Sequence, residues 1–156
     1  MRREEIAENL SALAFDFFFC FSRFEFALKE NAYLRNHTVG AIAEPGWEEF
    51  VEKWHGRYHP SEAAKRLLVL SPKRHVVCAC DALSWKPVGL VDCTCELQKV
   101  VRLLKTVRNN LFHGGKHGGA GWSDPRRTHD LLSVGRAVLD ELAKLANLEA
   151  DYTAYY

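Results

Sequence analysis

Apolar residues recur at helical spacing along most of this chain. From Arg3 to Leu34 there is neither glycine nor proline, and Ile6, Leu10, Leu13, Phe17, Phe21, Phe24 and Leu28 fall three or four positions apart. That stripe predicts one long helix over Arg3 to Leu34 with a buried face. Phe15, Phe18, Phe19 and Phe26 lie off the stripe, so the helix is apolar nearly all round and needs cover on a second side. The cover is either a second copy of the chain or other helices of the same one.

Asn36 to Gly46, with Gly40, Pro45 and Gly46, reads as a loop. Trp47, Phe50, Val51 and Trp54 share a helical face and predict a short helix over Trp47 to Arg57. Ser61, following Pro60, is an N-cap signal for a helix over Glu62 to Leu70, which Ser71-Pro72 stops. The pattern is weakest from Lys73 to Pro87, where Val76 and Val77 favour an extended piece and Trp85-Lys86-Pro87 reads as loop. From Asp92 onward, Leu97, Val100, Val101, Leu104, Val107 and Leu111 form a second long stripe, broken at Gly114-Gly115, where glycine suits a left-handed C-terminal cap. Gly114 to Gly121 holds five glycines and is a loop. Asp124-Pro125 opens a last helix, with Leu131, Leu132, Val134, Val138, Leu142 and Leu145 on its apolar side. The expected fold is all-α: an antiparallel bundle of four to five helices in one domain over residues 1–150. A tail from Asp151 to Tyr156 is expected to be ordered only by contacts to a partner.

Length and composition narrow the class. A chain of 156 residues, 47% hydrophobic and 26% charged, can bury the core of one domain and is unlike a disordered segment. Its formal net charge of +1 excludes a whole-molecule field for nucleic acid or membrane, so any electrostatic recognition is local. Leu10 to Phe21, the most apolar stretch, is interrupted by Ser11 and Asp16 and is too short for a bilayer, which takes about 20 apolar residues. No secretory leader is visible at the start, and the five cysteines, Cys20, Cys78, Cys80, Cys93 and Cys95, are an odd number. Free thiols in a reducing cytoplasm are the expectation, with no membrane association. Cys78 and Cys80, like Cys93 and Cys95, are separated by one residue, whereas structural zinc sites commonly use two, so we expect buried or idle thiols and no metal.

The chemistry concentrates at the end of the second long stripe, which reads Val107-Arg108-Asn109-Asn110-Leu111-Phe112-His113-Gly114-Gly115-Lys116. On a helix Asn109 and His113 are four apart and share a face, while Arg108 and His113 diverge by about 140°. A two-fold dimer brings two copies of the segment together and supplies two Arg, two Asn and two His. Such a group suits cleavage of an RNA phosphodiester. Imidazole can take the proton of the 2′-hydroxyl and return one to the leaving oxygen, its ordinary pKa lying near neutrality. Arginine offers a planar, permanently charged fork to the phosphate oxygens, and Asn109 orients ring or phosphate.

Arg, a polar residue, then His four intervening residues after the Arg at a helix end is the hallmark of the HEPN family, which the segment resembles. The block Phe18-Phe19-Cys20-Phe21-Ser22-Arg23-Phe24-Glu25-Phe26-Ala27-Leu28-Lys29 is similar to the first helix of one HEPN subgroup, so the resemblance touches both ends of the helical region, about residues 10–145. It implies a HEPN-like bundle, homodimerisation and an endoribonuclease of the toxin or phage-defence type that works without metal or other cofactor. Products would carry a 2′,3′-cyclic phosphate and a 5′-hydroxyl. Arg108, Asn109 and His113 are the expected catalytic residues. HEPN domains also include non-catalytic dimerisation or nucleotide- and RNA-binding modules, some partnered with a nucleotidyltransferase-like antitoxin or another regulatory protein, and this alternative stays open.

Charge around the motif fits a polyanion. Between Gln98 and His129 there are seven basic residues, Lys99, Arg102, Lys105, Arg108, Lys116, Arg126 and Arg127, against the single acid Asp124, a formal surplus of +6. Arg102, Lys105, Lys116, Arg126 and Arg127 are therefore the expected RNA-binding residues. A structural role for the motif would instead pair Arg108 with a carboxylate such as Asp92. His117 and His129 flank the motif without a catalytic assignment. Trp47, Trp54 and Tyr58 are expected in the core rather than in a base-stacking platform. Glu25, set among phenylalanines, needs a partner, for which Arg108 of either chain is the candidate.

Overall fold

In the computed structural model, which describes residues 8–112 and 124–154, the chain is mostly helical, with six α-helices and one two-stranded antiparallel sheet among those residues. Helix α1 (Glu8–Glu30) runs through the middle and buries Leu10, Phe17, Cys20, Phe21, Phe24, Ala27 and Leu28. It stops at Glu30 rather than at Leu34, because Ala32 turns left-handed at φ 60°. The amides of Ala32 and Tyr33 then donate back to the carbonyls of Lys29 and Leu28, closing the helix end with its carbonyls satisfied.

The following loop is pinned rather than loose. Leu34 bridges Pro45, and Gly46 donates to the carbonyl of Tyr33 at 2.8 Å. A Cβ at Gly46 would sit 2.6 Å from the backbone of Leu34, so only glycine fits there. Helix α2 (Trp47–Trp54) follows and buries Trp47, Phe50 and Trp54; it ends before Arg57, in turns closed by Arg57 and Tyr58 amides. Helix α3 (Glu62–Leu70) begins where Ser61 Oγ accepts from the Ala64 amide and ends at Ser71, as its sequence predicts.

The segment with the weakest pattern is a hairpin. Strand β1 (Lys73–Val77) pairs with β2 (Leu83–Pro87) around a 3-10 turn, Ala79–Asp81. Val76 and Val77 are extended as expected, but Trp85, Lys86 and Pro87 belong to a strand and not to a loop. Cys80 and Asp81 take the positive φ angles of the turn, a task that usually falls to Asn-Gly.

Helix α4 (Glu96–Phe112) buries Leu97, Val100, Val101, Leu103, Leu104 and Val107. Its start is capped by Gln98, whose Oε1 accepts from the Thr94 amide and hydroxyl while its backbone N–H donates to Cys95 Sγ. Helix α5 (Pro125–Leu145) opens with Pro125 in its first turn and Asp124 Oδ1 accepting from the Arg127 amide at 3.0 Å. It packs on α1 and α3. Asn147 at φ 55° ends it in the same left-handed manner as Ala32 ends α1.

The C-terminal segment differs from its expectation. Residues Glu149–Thr153 form α6, which packs on α1 of its own chain. Tyr152 is buried and its hydroxyl donates to Asp140 at 2.7 Å; Arg23 donates to the carbonyls of Asp151 and Tyr152, and Asn31 to the Asp151 carboxylate at 2.8 Å. The described part of the tail, through Ala154, thus makes its contacts within its own chain. No helix among the described residues is long and apolar enough to cross a membrane.

Candidate functional site

The last turns of α4 bring Arg108 and Asn109 to the surface beside α1. Leu104 and Val107 sit in the core and Leu111 packs against it, which turns Asn109 outward and leaves Arg108, four residues after Leu104, on the flank of the buried stripe. Arg108 is half-buried and lies over the ring of Phe112 at 4.9 Å and that of Phe21 at 5.7 Å. Its Nη1 donates to Asn109 Oδ1 at 3.1 Å. Among the described residues no carboxylate pairs with it: Asp92, the candidate structural partner, is taken by Arg102. A guanidinium held on two aromatic faces, with one hydrogen bond to a neutral amide among the described residues, can offer further donors to an incoming anion. His113 lies outside the described residues. The next asparagine points elsewhere, Asn110 Nδ2 donating to the Lys73 carbonyl at 2.7 Å and so tying β1 to this end of α4.

The surface next to Arg108 is aromatic. Phe15 is 68% exposed, Phe19 47%, Phe112 48% and Phe18 36%. Phe18 meets Phe112 edge-on at 4.7 Å, and Phe15 and Phe19 stack at 6.4 Å. So many exposed rings on one face are unusual for a surface that meets only water.

Three of the expected RNA-binding residues, Arg102, Lys105 and Arg127, have partners within the chain. Arg102 forks onto both oxygens of Asp92 at 2.6 and 2.8 Å and also donates to the Gly89 carbonyl. That fork holds the Asp92 carboxyl down at about 2, so the pair stays charged through any ordinary pH and Arg102 is committed to a loop. Lys105 lies 3.9 Å from Glu48, and Lys99 pairs with Glu96. Arg127 donates to the carbonyls of Leu70 and Ser71, closing the end of α3. Arg126 is exposed, and Lys116 and His117 lie outside the described residues. The surplus of basic residues is thus partly spent on structure, a use that counting charges along the sequence misses. His129 is exposed on α5, 3.9 Å from Asp130.

Within the chain, the partner of Glu25 is Trp47, whose indole Nε1 donates to Glu25 Oε1 at 3.0 Å, and not the chain's own Arg108. Trp47, Trp54 and Tyr58 are buried, as the core reading has it. All five cysteines are free. Cys78 Sγ donates to Ser84 Oγ at 3.1 Å, and burial pushes the Cys20 and Cys93 thiols up. Among the described residues no three of His, Cys, Asp and Glu come together in a way that could hold a metal. A cleft of about 450 Å³ separates α2 from α4; Glu48, Glu52 and His55 face Gln98, Arg102 and Lys105 across it, and Arg108 does not line it.

Comparison with protein-family models, with curated proteins and with solved structures finds no match to this chain.

Proposed function

We propose that the chain is a HEPN-like helical bundle that cuts RNA without a metal, as a toxin or phage-defence endoribonuclease of the cytoplasm. The observation that carries this reading is the state of Arg108: a half-buried guanidinium on Phe21 and Phe112, hydrogen-bonded to Asn109 and paired with no carboxylate among the described residues. A purely structural arginine at a helix end would be expected to hold an acid or a carbonyl, as Arg102 and Arg127 do. Arg108 instead supports a role as anion binder, and its sequence spacing to His113 puts an acid–base group within the same segment.

In this reading Arg108 takes the phosphate oxygens as negative charge builds up, and Asn109 fixes the guanidinium through its carbonyl while its amide N–H groups face the phosphate. His113 moves protons at the 2′-hydroxyl and the leaving 5′-oxygen. The aromatic face of Phe15, Phe18, Phe19 and Phe112 is covered by the same face of a second copy, which completes the site with a second set of residues.

The test is cleavage of a mixed RNA pool in EDTA by wild type, Arg108→Ala and His113→Ala at matched dimer content. Each substitution should lower the rate by about 10²-fold or more, the usual contribution of a positioned acid–base or oxyanion group. A folded wild-type dimer that cuts nothing would sink the nuclease reading and favour a non-catalytic module working with an antitoxin or other regulatory protein.

A further inference from the structure

The β1–β2 hairpin stands apart from the core. Pro72 and Val88 at its two feet are buried, whereas no residue from Lys73 to Pro87 is. A two-stranded ribbon is marginal in water by itself, and this one carries a feature that weakens it further. Arg74 and Lys86 are directly opposite each other across the strands, like charge facing like charge. Neither makes an ion pair among the described residues. Arg74 is near enough to help lower the Asp92 carboxyl, but both Asp92 oxygens already accept from Arg102.

The other face of the ribbon holds Lys73 and the cross-strand pair His75 and Trp85, whose rings lie 3.7 Å apart and are both half-exposed. Three basic residues stand against one acid in Lys73–Pro87, and that acid, Asp81, sits in the turn, so the cationic part is the base of the ribbon. The base is what Asn110 ties to the end of α4, two positions along the helix from Arg108.

Repulsion between Arg74 and Lys86 turns into attraction when a polyanion lies against them, and exposed rings beside cations accept an unpaired base of any sequence. We propose that this hairpin binds single-stranded RNA, with His75 and Trp85 stacking on a base and Lys73, Arg74 and Lys86 binding phosphates of the strand that leads to Arg108. Arg74 and Lys86 stand on the face opposite the rings, so a strand bound by both sets would cross the edge of this two-stranded ribbon. The assignment rests on the ribonuclease reading for the polymer's identity, and its test is made independent of cleavage.

The probe is a fluorescein-labelled 12-nucleotide RNA of mixed sequence, 2′-O-methylated so that it cannot be cut, titrated by anisotropy in EDTA over a range of salt. Trp85→Ala should weaken binding about tenfold, the usual effect of losing one stacked base. Trp85→Phe should restore most of it. Arg74→Gln with Lys86→Gln should flatten the dependence of log affinity on log salt by about 1.4, the share of two phosphates on a single strand. The Trp85→Phe variant should melt with wild type, and the Arg74→Gln, Lys86→Gln variant no lower, since it removes the like-charge pair and neither side chain is buried. Equal affinity and salt slope in wild type and hairpin variants would overturn the proposal, and so would a wild type that does not bind the probe, leaving the hairpin to a protein contact. If the hairpin binds while wild type cleaves no RNA, only the nuclease reading falls.

Discussion

Among the described residues three tyrosines, Tyr33, Tyr58 and Tyr152, are buried, and they differ in what meets their hydroxyls. Tyr33 accepts from the Trp54 indole at 2.9 Å, and Tyr152 donates to Asp140 at 2.7 Å. Tyr58 has no partner for its buried hydroxyl among the described residues, and burial, with the charges of Glu141 and Glu96 behind it, pushes its ionisation well above the usual range. A donor taken out of water and left unpaired costs about 1–3 kcal/mol, whereas a paired one contributes about 1 kcal/mol. Tyr58→Phe should therefore stabilise the protein by about 1 kcal/mol, raising Tm by about 2–4 °C for a chain of this size. Tyr152→Phe should lower stability by a similar amount, since Asp140 loses its donor. Differential scanning calorimetry of both variants decides the matter: equal downward shifts would mean that Tyr58 has a partner after all, such as an ordered water.

At the scale of elements, legibility followed the source of each element's order. Helix α3 was legible because its start, Ser61, and its stop, Ser71-Pro72, are local chemistry. The opening of α5 at Asp124-Pro125 was legible for the same reason. The end of α1 was not, since Ala32 has no preference for the left-handed turn it takes and is held there by Tyr33 packing into the core. The hairpin was hidden by a turn built on Cys80 and Asp81, and α6 because its order comes from Arg23 and Asn31, more than a hundred residues earlier. Of the candidate site, Arg108 and Asn109 were legible from spacing, but the employment of Arg102 and Arg127 was not, because carbonyl and carboxylate partners come from other segments. Packing between elements is equally silent in one dimension. Gly135 lets α5 approach α1 so closely that a Cβ there would lie 2.7 Å from the Phe17 ring, which is fully buried and cannot move aside. Alanine would gain about 1 kcal/mol of helix propensity and lose about 1–3 kcal/mol to overpacking. Urea unfolding of Gly135→Ala should thus show a lower midpoint; a higher one would mean that the two helices can separate at little cost.

The whole molecule has one face that its own fold does not explain. The rings of Phe17, Phe21 and Phe24 on α1 are consumed by the core, while Phe15, Phe18 and Phe19 on the same helix, with Phe112 from α4, are left to solvent. One side of this all-round apolar helix therefore faces the chain's own helices, and the other is exposed on the single chain. Arg108 lies at the edge of that second side, in contact with Phe112, so closing the face on itself would draw two such arginines toward one axis. Replacing Phe15 and Phe19 together by glutamate puts like charges across the expected contact without touching the core, since both side chains are exposed. Sedimentation should find wild type as a dimer and the double variant as a monomer with an unchanged circular dichroism spectrum, and RNA cleavage should fall with the dimer fraction. A wild type that stays monomeric at tens of micromolar, or a monomeric variant that cuts as fast as the dimer, would separate the aromatic face from the site and leave Arg108 to act within one chain.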